Sequence, residues 1–194
     1  MIGLVGLIIP VFIIGVIVYL VVRRRNSEGI TAYQALMAYF YSMIAASIIT
    51  TAIGVGYLLT SVFSSAYSDR PIADDVTLGV TLLATGAVIC LLHVLGRKAL
   101  EAKEGKSTPL LRRVYLFFML FIFSIGGLVS LPLAVYDVAH YYVKTAMYRS
   151  DPSEQIASAV VIVPLWVYYL MKVLRETRAA KKEEASEEGG ASTI

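Results

Sequence analysis

Two histidines are the residues of this chain whose type and spacing best suit chemistry. In "VYDVAHYY" (Val135 to Tyr142), Asp137 and His140 stand three residues apart, with Tyr136 and Tyr141 beside them. On a helix that spacing puts a carboxylate and an imidazole on one face, as an acid and base pair requires. His93 stands four residues before Arg97 at the end of another apolar run. A haem held by two histidines needs both at one depth, whereas these two sit near opposite ends of their runs, on the order of 30 Å apart. The lone Cys90 gives neither an intramolecular disulfide nor a thiolate cluster. "EGKS" in the central loop lacks the first glycine of a phosphate-binding loop. With no Ser/His/Asp arrangement, paired carboxylates or metal-ligand spacing in the sequence, the expectation is a non-catalytic protein with no metal and no cofactor.

The elements that carry these residues are set by composition. The 194 residues are 58% hydrophobic and 16% charged, with a mean hydropathy of +0.73, too apolar for a soluble domain of this length. A spanning helix needs about 20 apolar residues. Five stretches qualify or come close: Met1 to Val22, Thr31 to Ser68, Val76 to Gly96, Val114 to Val143 and Gln155 to Met171. The expected fold is an all-α membrane protein of five transmembrane helices, embedded in a lipid bilayer. Of the 17 Lys and Arg, all but Arg70, Lys144 and Arg149 fall on one side of this layout. That side includes Arg97, Arg112, Arg113 and the Arg23 to Arg25 run. Cations accumulate on the cytoplasmic side, so the N-terminus is expected outside and the C-terminus in the cytoplasm. The net charge of +3 says little by itself beside this sorting, and no nucleic-acid partner is implied. Counting about 20 residues from Val114 exhausts the hydrocarbon near Leu133. Asp137 and His140 then lie beyond it in an outer aromatic belt with Tyr136, Tyr141 and Tyr142.

Small residues mark the expected helix contacts. Gly54, Gly56, Gly126, Gly127 and Ser130 let backbones approach closely, and Pro132 removes a donor and is expected to kink its helix. The Ser and Thr of the middle segments read as packing contacts, bonded to the preceding turn or to a neighbour. An ungapped shift of 76 positions aligns Tyr39 with Tyr115, Asp75 with Asp151, Cys90 with Trp166, and His93 with Tyr169. The chain thus divides into a leading helix (1–25), two helical hairpins related as a parallel repeat (31–101 and 110–176), and a disordered cytoplasmic tail (177–194).

The ends of the two hairpins carry a resemblance. "LLRRVYLFFMLF" (Leu110 to Phe121) opens the second, while "GAVICLLHVLGRKALE" (Gly86 to Glu101) and "VIVPLWVYYLMKVLRE" (Val161 to Glu176) close the first and second. They resemble the repeat of an uncharacterised bacterial integral-membrane family, domain of unknown function 5671. Its units start with Arg-Arg-x-Tyr and finish near Trp-x-x-His-Trp followed by cations. In this chain the first unit keeps the His (His93) and the second keeps the Trp (Trp166), while the first lacks the Arg pair. The resemblance implies architecture and a bacterial cytoplasmic membrane, and no activity.

The functional expectation is a structural or accessory subunit that docks onto itself or onto other membrane subunits. The alternative is a small transporter or channel with a path lined by hydroxyls. A haem or enzyme role for His93 or His140 ranks third.

Overall fold

The computed structural model describes residues 31–67, 71–105, 108–143 and 151–191, with side chains to residue 179. Four helices account for them: α1 (Ala32–Tyr67), α2 (Ala73–Glu104), α3 (Pro109–Val143) and α4 (Ser153–Ala191). All four are long and apolar enough to cross a membrane, α4 through Ala179. The leading segment lies outside the described residues, so the expected fifth helix is not among these four.

Local chemistry sets where each helix starts and stops. Asp74 and Asp75 occupy the first turn of α2, where the exposed N–H groups favour negative charge. At its other end Gly105 adopts a left-handed conformation (φ 61°) and donates its N–H to the Glu101 carbonyl, a stop that suits a residue without Cβ. Pro109 then begins α3, where its missing N–H has no helical partner in any case. Asp151 caps α4 by accepting from the Ser153 N–H at 2.9 Å. Pro132 and Pro164 sit inside continuous helices.

Hydroxyls along α1 and α2 turn back on their own helices. Ser42, Ser47, Thr50, Thr51, Ser61, Thr77 and Thr81 each donate to a carbonyl three or four residues earlier, at 2.7–2.9 Å. This satisfies each hydroxyl locally and leaves interhelical contact to shape. In the tail, α4 continues to Ala191, where disorder was expected from residue 177. "RETRAAKKEEASEE" is rich in Ala, Glu, Lys and Arg, all good helix formers, and their propensity extends the helix already begun.

Packing is centred on α1, which contacts α2, α4 and, to a lesser extent, α3; α3 packs mainly on α4. The contacts therefore run in the order α2, α1, α4, α3. A two-fold relating the hairpins would repeat the α1·α4 seam between α3 and α2, but α2 rests almost wholly on α1. The parallel two-fold relation expected from the sequence repeat is not seen among the described helices, which form an open arc.

The α1·α2 seam is the tightest. Ser47 and Ser61 are buried on α1, with Gly54 midway between them, opposite Gly79 and Gly86 on α2. A Cβ on Gly54 would lie 2.5 Å from the Leu83 nitrogen and 2.9 Å from the Gly79 carbonyl oxygen. One on Gly86 would overlap the Thr51 hydroxyl and stand 2.9 Å from the Thr51 nitrogen. Backbone meets backbone here, so nothing can give way. Gly56, two residues on, has nothing within 4 Å of the same position. Gly54→Ala should therefore destabilise the protein by about 1–3 kcal/mol through overpacking. Gly56→Ala should be neutral or stabilise by up to about 1 kcal/mol through helix propensity. Unfolding in detergent followed by Trp166 fluorescence distinguishes the two.

Candidate functional site

Polar side chains concentrate at the cation-rich end of the arc, where α1 and α3 begin and α2 ends. Arg97 donates through Nη1 to the Tyr41 hydroxyl and to Glu101, both at 3.1 Å, and its guanidinium lies 5.2 Å from the centre of the Tyr41 ring. Arg112 reaches Glu176 at 2.9 Å and ties the start of α3 to α4. Arg113 is exposed beside it. Between these groups lies a cleft of about 530 Å³ lined by Tyr41, Arg97, Glu101, Thr108, Arg112 and Glu176.

Deeper in the arc, α1, α3 and α4 meet in an aromatic layer. Tyr115 and Tyr169 join hydroxyls at 3.1 Å, Phe123 stacks on Tyr169 at 5.5 Å between centroids, and Tyr41 packs on Tyr115 at 5.3 Å. Met119 is completely buried among them. Both tyrosine hydroxyls are withdrawn from water, and each satisfies the other.

His93 belongs to a second tyrosine pair. Its Nδ1 donates to the Ile89 carbonyl at 2.7 Å, and its Nε2 meets the Tyr39 hydroxyl at 3.2 Å. Both ring nitrogens are engaged, so neither is free to ligate haem iron without breaking a bond. Tyr39 and His93 are separated in sequence by the same 54 residues as Tyr115 and Tyr169. The 76-residue shift maps one pair onto the other. The two environments differ: Tyr169 is 3% exposed, whereas Tyr39 is 50% exposed on an open face.

At the acid-bearing end, Asp137 and His140 share a face of α3, but among the described residues no hydrogen bond or ion pair joins them. His140 instead stacks on Tyr136 at 5.7 Å, and its Nδ1 is buried without a partner. Tyr141 packs edge-on against Tyr67 of α1 at 5.1 Å. The carboxylate that organises this end is Asp151, met in the sequence only as the repeat partner of Asp75. Asp151 accepts from the Ser153 N–H and hydroxyl and from Ser64 of α1. The Asp-Pro-Ser order was the available signal, as a helix cap.

The small residues expected at helix contacts mostly make them within the chain. Gly54 packs on α2, and a Cβ on Gly126 would lie 3.2 Å from Ile162 and one on Gly127 3.7 Å from Trp166. Ser130 is buried, with its hydroxyl unpartnered. The seam glycines that reasoning from sequence missed, Gly79 and Gly86, are seven apart opposite a Ser47, Gly54, Ser61 series of the same spacing. That matched heptad was the signal. Among the described residues no group of three His, Cys, Asp or Glu could hold a metal ion.

One family model, described as Domain of unknown function (DUF5671), matches residues 37–149, from α1 to just beyond α3. No curated protein and no solved structure matches the chain.

The Tyr115–Tyr169 bond should be measurable as coupling. Tyr115→Phe and Tyr169→Phe are each expected to cost about 1 kcal/mol. The double variant should cost less than the sum of the two, by about 0.6 kcal/mol, read from unfolding midpoints in detergent. Asp137→Asn, which breaks no bond seen here, should change stability by no more than about 0.5 kcal/mol in the same assay.

Proposed function

The chain belongs to the DUF5671 family, and we propose that it is a non-catalytic bacterial membrane protein, a structural or accessory component that associates with itself or with a larger membrane complex. In this reading the leading segment forms a fifth span, the N-terminus lies outside and the C-terminus in the cytoplasm. The cation sorting along the sequence supports that orientation. Two tandem hairpins are supported by the Tyr39–His93 and Tyr115–Tyr169 pairs, which recur at equivalent positions.

The observation that carries the reading is the open face of α2. Val80, Val88, Leu91, Leu92 and Leu95 are each more than half exposed along a helix supported almost wholly by α1. An exposed apolar surface of this extent needs lipid or another protein against it. The Tyr39–His93 bond lies at the same edge, and a polar pair is better accommodated against a partner helix than in hydrocarbon. Gentle solubilisation from the native membrane followed by sizing tests this. An oligomer or a stable co-purifying membrane subunit is expected; a monomer without partners contradicts the reading.

A second reading, a path for a small polar solute, is favoured by one feature. Ser130 has a buried, unpartnered hydroxyl, and Gly56 borders open space inside the arc, in a half that also buries Thr60 and Ser64. Purified protein in liposomes would then pass ions or small solutes, and flux equal to that of empty vesicles removes this reading.

A further inference from the structure

We propose that the cleft at the cation-rich end is a binding site for a phosphate-bearing anion, held between Arg97, Thr108 and Arg112. Three observations converge there. The first is the donor set itself. Two guanidiniums line a cleft of about 530 Å³, and it opens beside the N-terminus of α3. The planar fork of arginine matches the oxygens of a phosphate, and the first N–H groups of a helix favour an anion at that position.

The second is that two polar atoms of the cleft residues are left without partners. Arg97 uses Nη1 for both Tyr41 and Glu101, while its Nε is buried with no hydrogen-bond acceptor. Thr108 Oγ1 is buried and likewise unpartnered. Thr108 precedes the first turn of α3, and its carbonyl accepts from the Arg112 N–H at 3.1 Å. A threonine at that position ordinarily turns its hydroxyl onto the free N–H groups of the turn; here it does not. Buried polar atoms are almost always satisfied, and exceptions in a cleft point to a missing water or ion. A tetrahedral oxyanion in the cleft would satisfy Arg97 Nε and the Thr108 hydroxyl once each side chain turns toward it.

The third is that the existing ion pairs are suited to exchange. Glu176 holds Arg112, whose side chain is 58% exposed, and an exposed pair contributes little to stability. An incoming phosphate can therefore engage Arg112 by displacing or sharing Glu176. Glu101 holds the Arg97 guanidinium through Nη1 and leaves its Nε without a partner. The inventory suits one phosphate: with Glu101 and Glu176 in the same cleft, a chain of several phosphates would meet repulsion.

Such a phosphate has two sources, the headgroup of an anionic phospholipid or a soluble phosphate compound. The test uses the full chain in a neutral detergent and reads its thermal midpoint by Trp166 fluorescence. Inorganic phosphate is titrated in one arm. Phosphatidylglycerol is titrated in the other, against phosphatidylcholine, with ionic strength matched by sodium chloride throughout. At least one arm should raise the midpoint saturably. Thr108→Val and Arg112→Gln should each weaken the apparent affinity about tenfold, while Arg113→Gln, which removes an equal charge outside the cleft, should leave it unchanged. A response to inorganic phosphate assigns a soluble ligand, and a response to phosphatidylglycerol alone assigns a lipid headgroup. The proposal is overturned if neither arm exceeds the sodium chloride control, or if Arg113→Gln weakens binding as much as Arg112→Gln. It is equally overturned if Thr108→Val and Arg112→Gln leave binding intact. Should Arg112→Gln fail to fold, Thr108→Val alone decides. The site is independent of whether copies of the chain associate, so failure here leaves the reading of an associating membrane component untouched.

Discussion

The approach of two backbones at Gly54, Gly79 and Gly86 is the contact on which the rest of the arrangement depends. Helices surrounded by apolar medium gain little from burying one more leucine, because lipid is as apolar as the side chain. What holds them together is close packing and the few polar bonds that reach across. The glycines of α1 and α2 remove the side chains that would keep the helices apart, and hydroxyls bonded to their own helices keep the seam free of unsatisfied groups. This fixes α1 against α2 over much of its length and makes α1 the helix on which the others are assembled.

On its other side α1 uses different means. Ala45 and Ile48 pack into the cluster of Tyr169, Val173 and Met119, and Ser64 bonds Asp151 at the far end. The junction of α1, α3 and α4 is thus filled by aromatic rings toward its cation-rich end and by small hydroxyl residues toward the other. The cleft follows directly. Gly105 stops α2, Pro109 restarts the chain as α3, and the residues around this turn bring Arg97 and Arg112 to one opening. The proposed association accordingly uses the open face of α2, and the proposed anion recognition uses the turn.

Much of this could be read from the residues in order. Uninterrupted apolar runs announced the four described helices, because a backbone in hydrocarbon must satisfy its hydrogen bonds within the helix. Their ends were less legible: α4 runs on well past Met171, where the last apolar stretch stops, because Ala, Glu, Lys and Arg favour helix after hydropathy has fallen. Which faces meet was mostly hidden. Gly126 and Gly127 were recognised as packing residues, whereas Gly79 and Gly86 were signalled only by a heptad matching that of α1, whose meaning the register of α2 on α1 supplies. Asp137 and His140 had the right spacing for a pair, yet Tyr136 captures the imidazole by stacking. The cleft escaped notice because its members come from four separate stretches, and only the turn at Gly105 brings them together.

The central claim is the order of the helices, with α2 carried by α1 and not closed against α3. Oxidative cross-linking of paired cysteines in native membranes, in a Cys90→Ala background, tests it most directly. Ala45→Cys with Val173→Cys should form a disulfide within one chain, since both positions lie in one buried cluster of α1 and α4. Val88→Cys with Phe121→Cys, on the open faces of α2 and α3, should not link within one chain. Efficient intrachain linkage of the second pair, or its absence in the first, would mean that the helices close into a bundle of different order and would contradict the account.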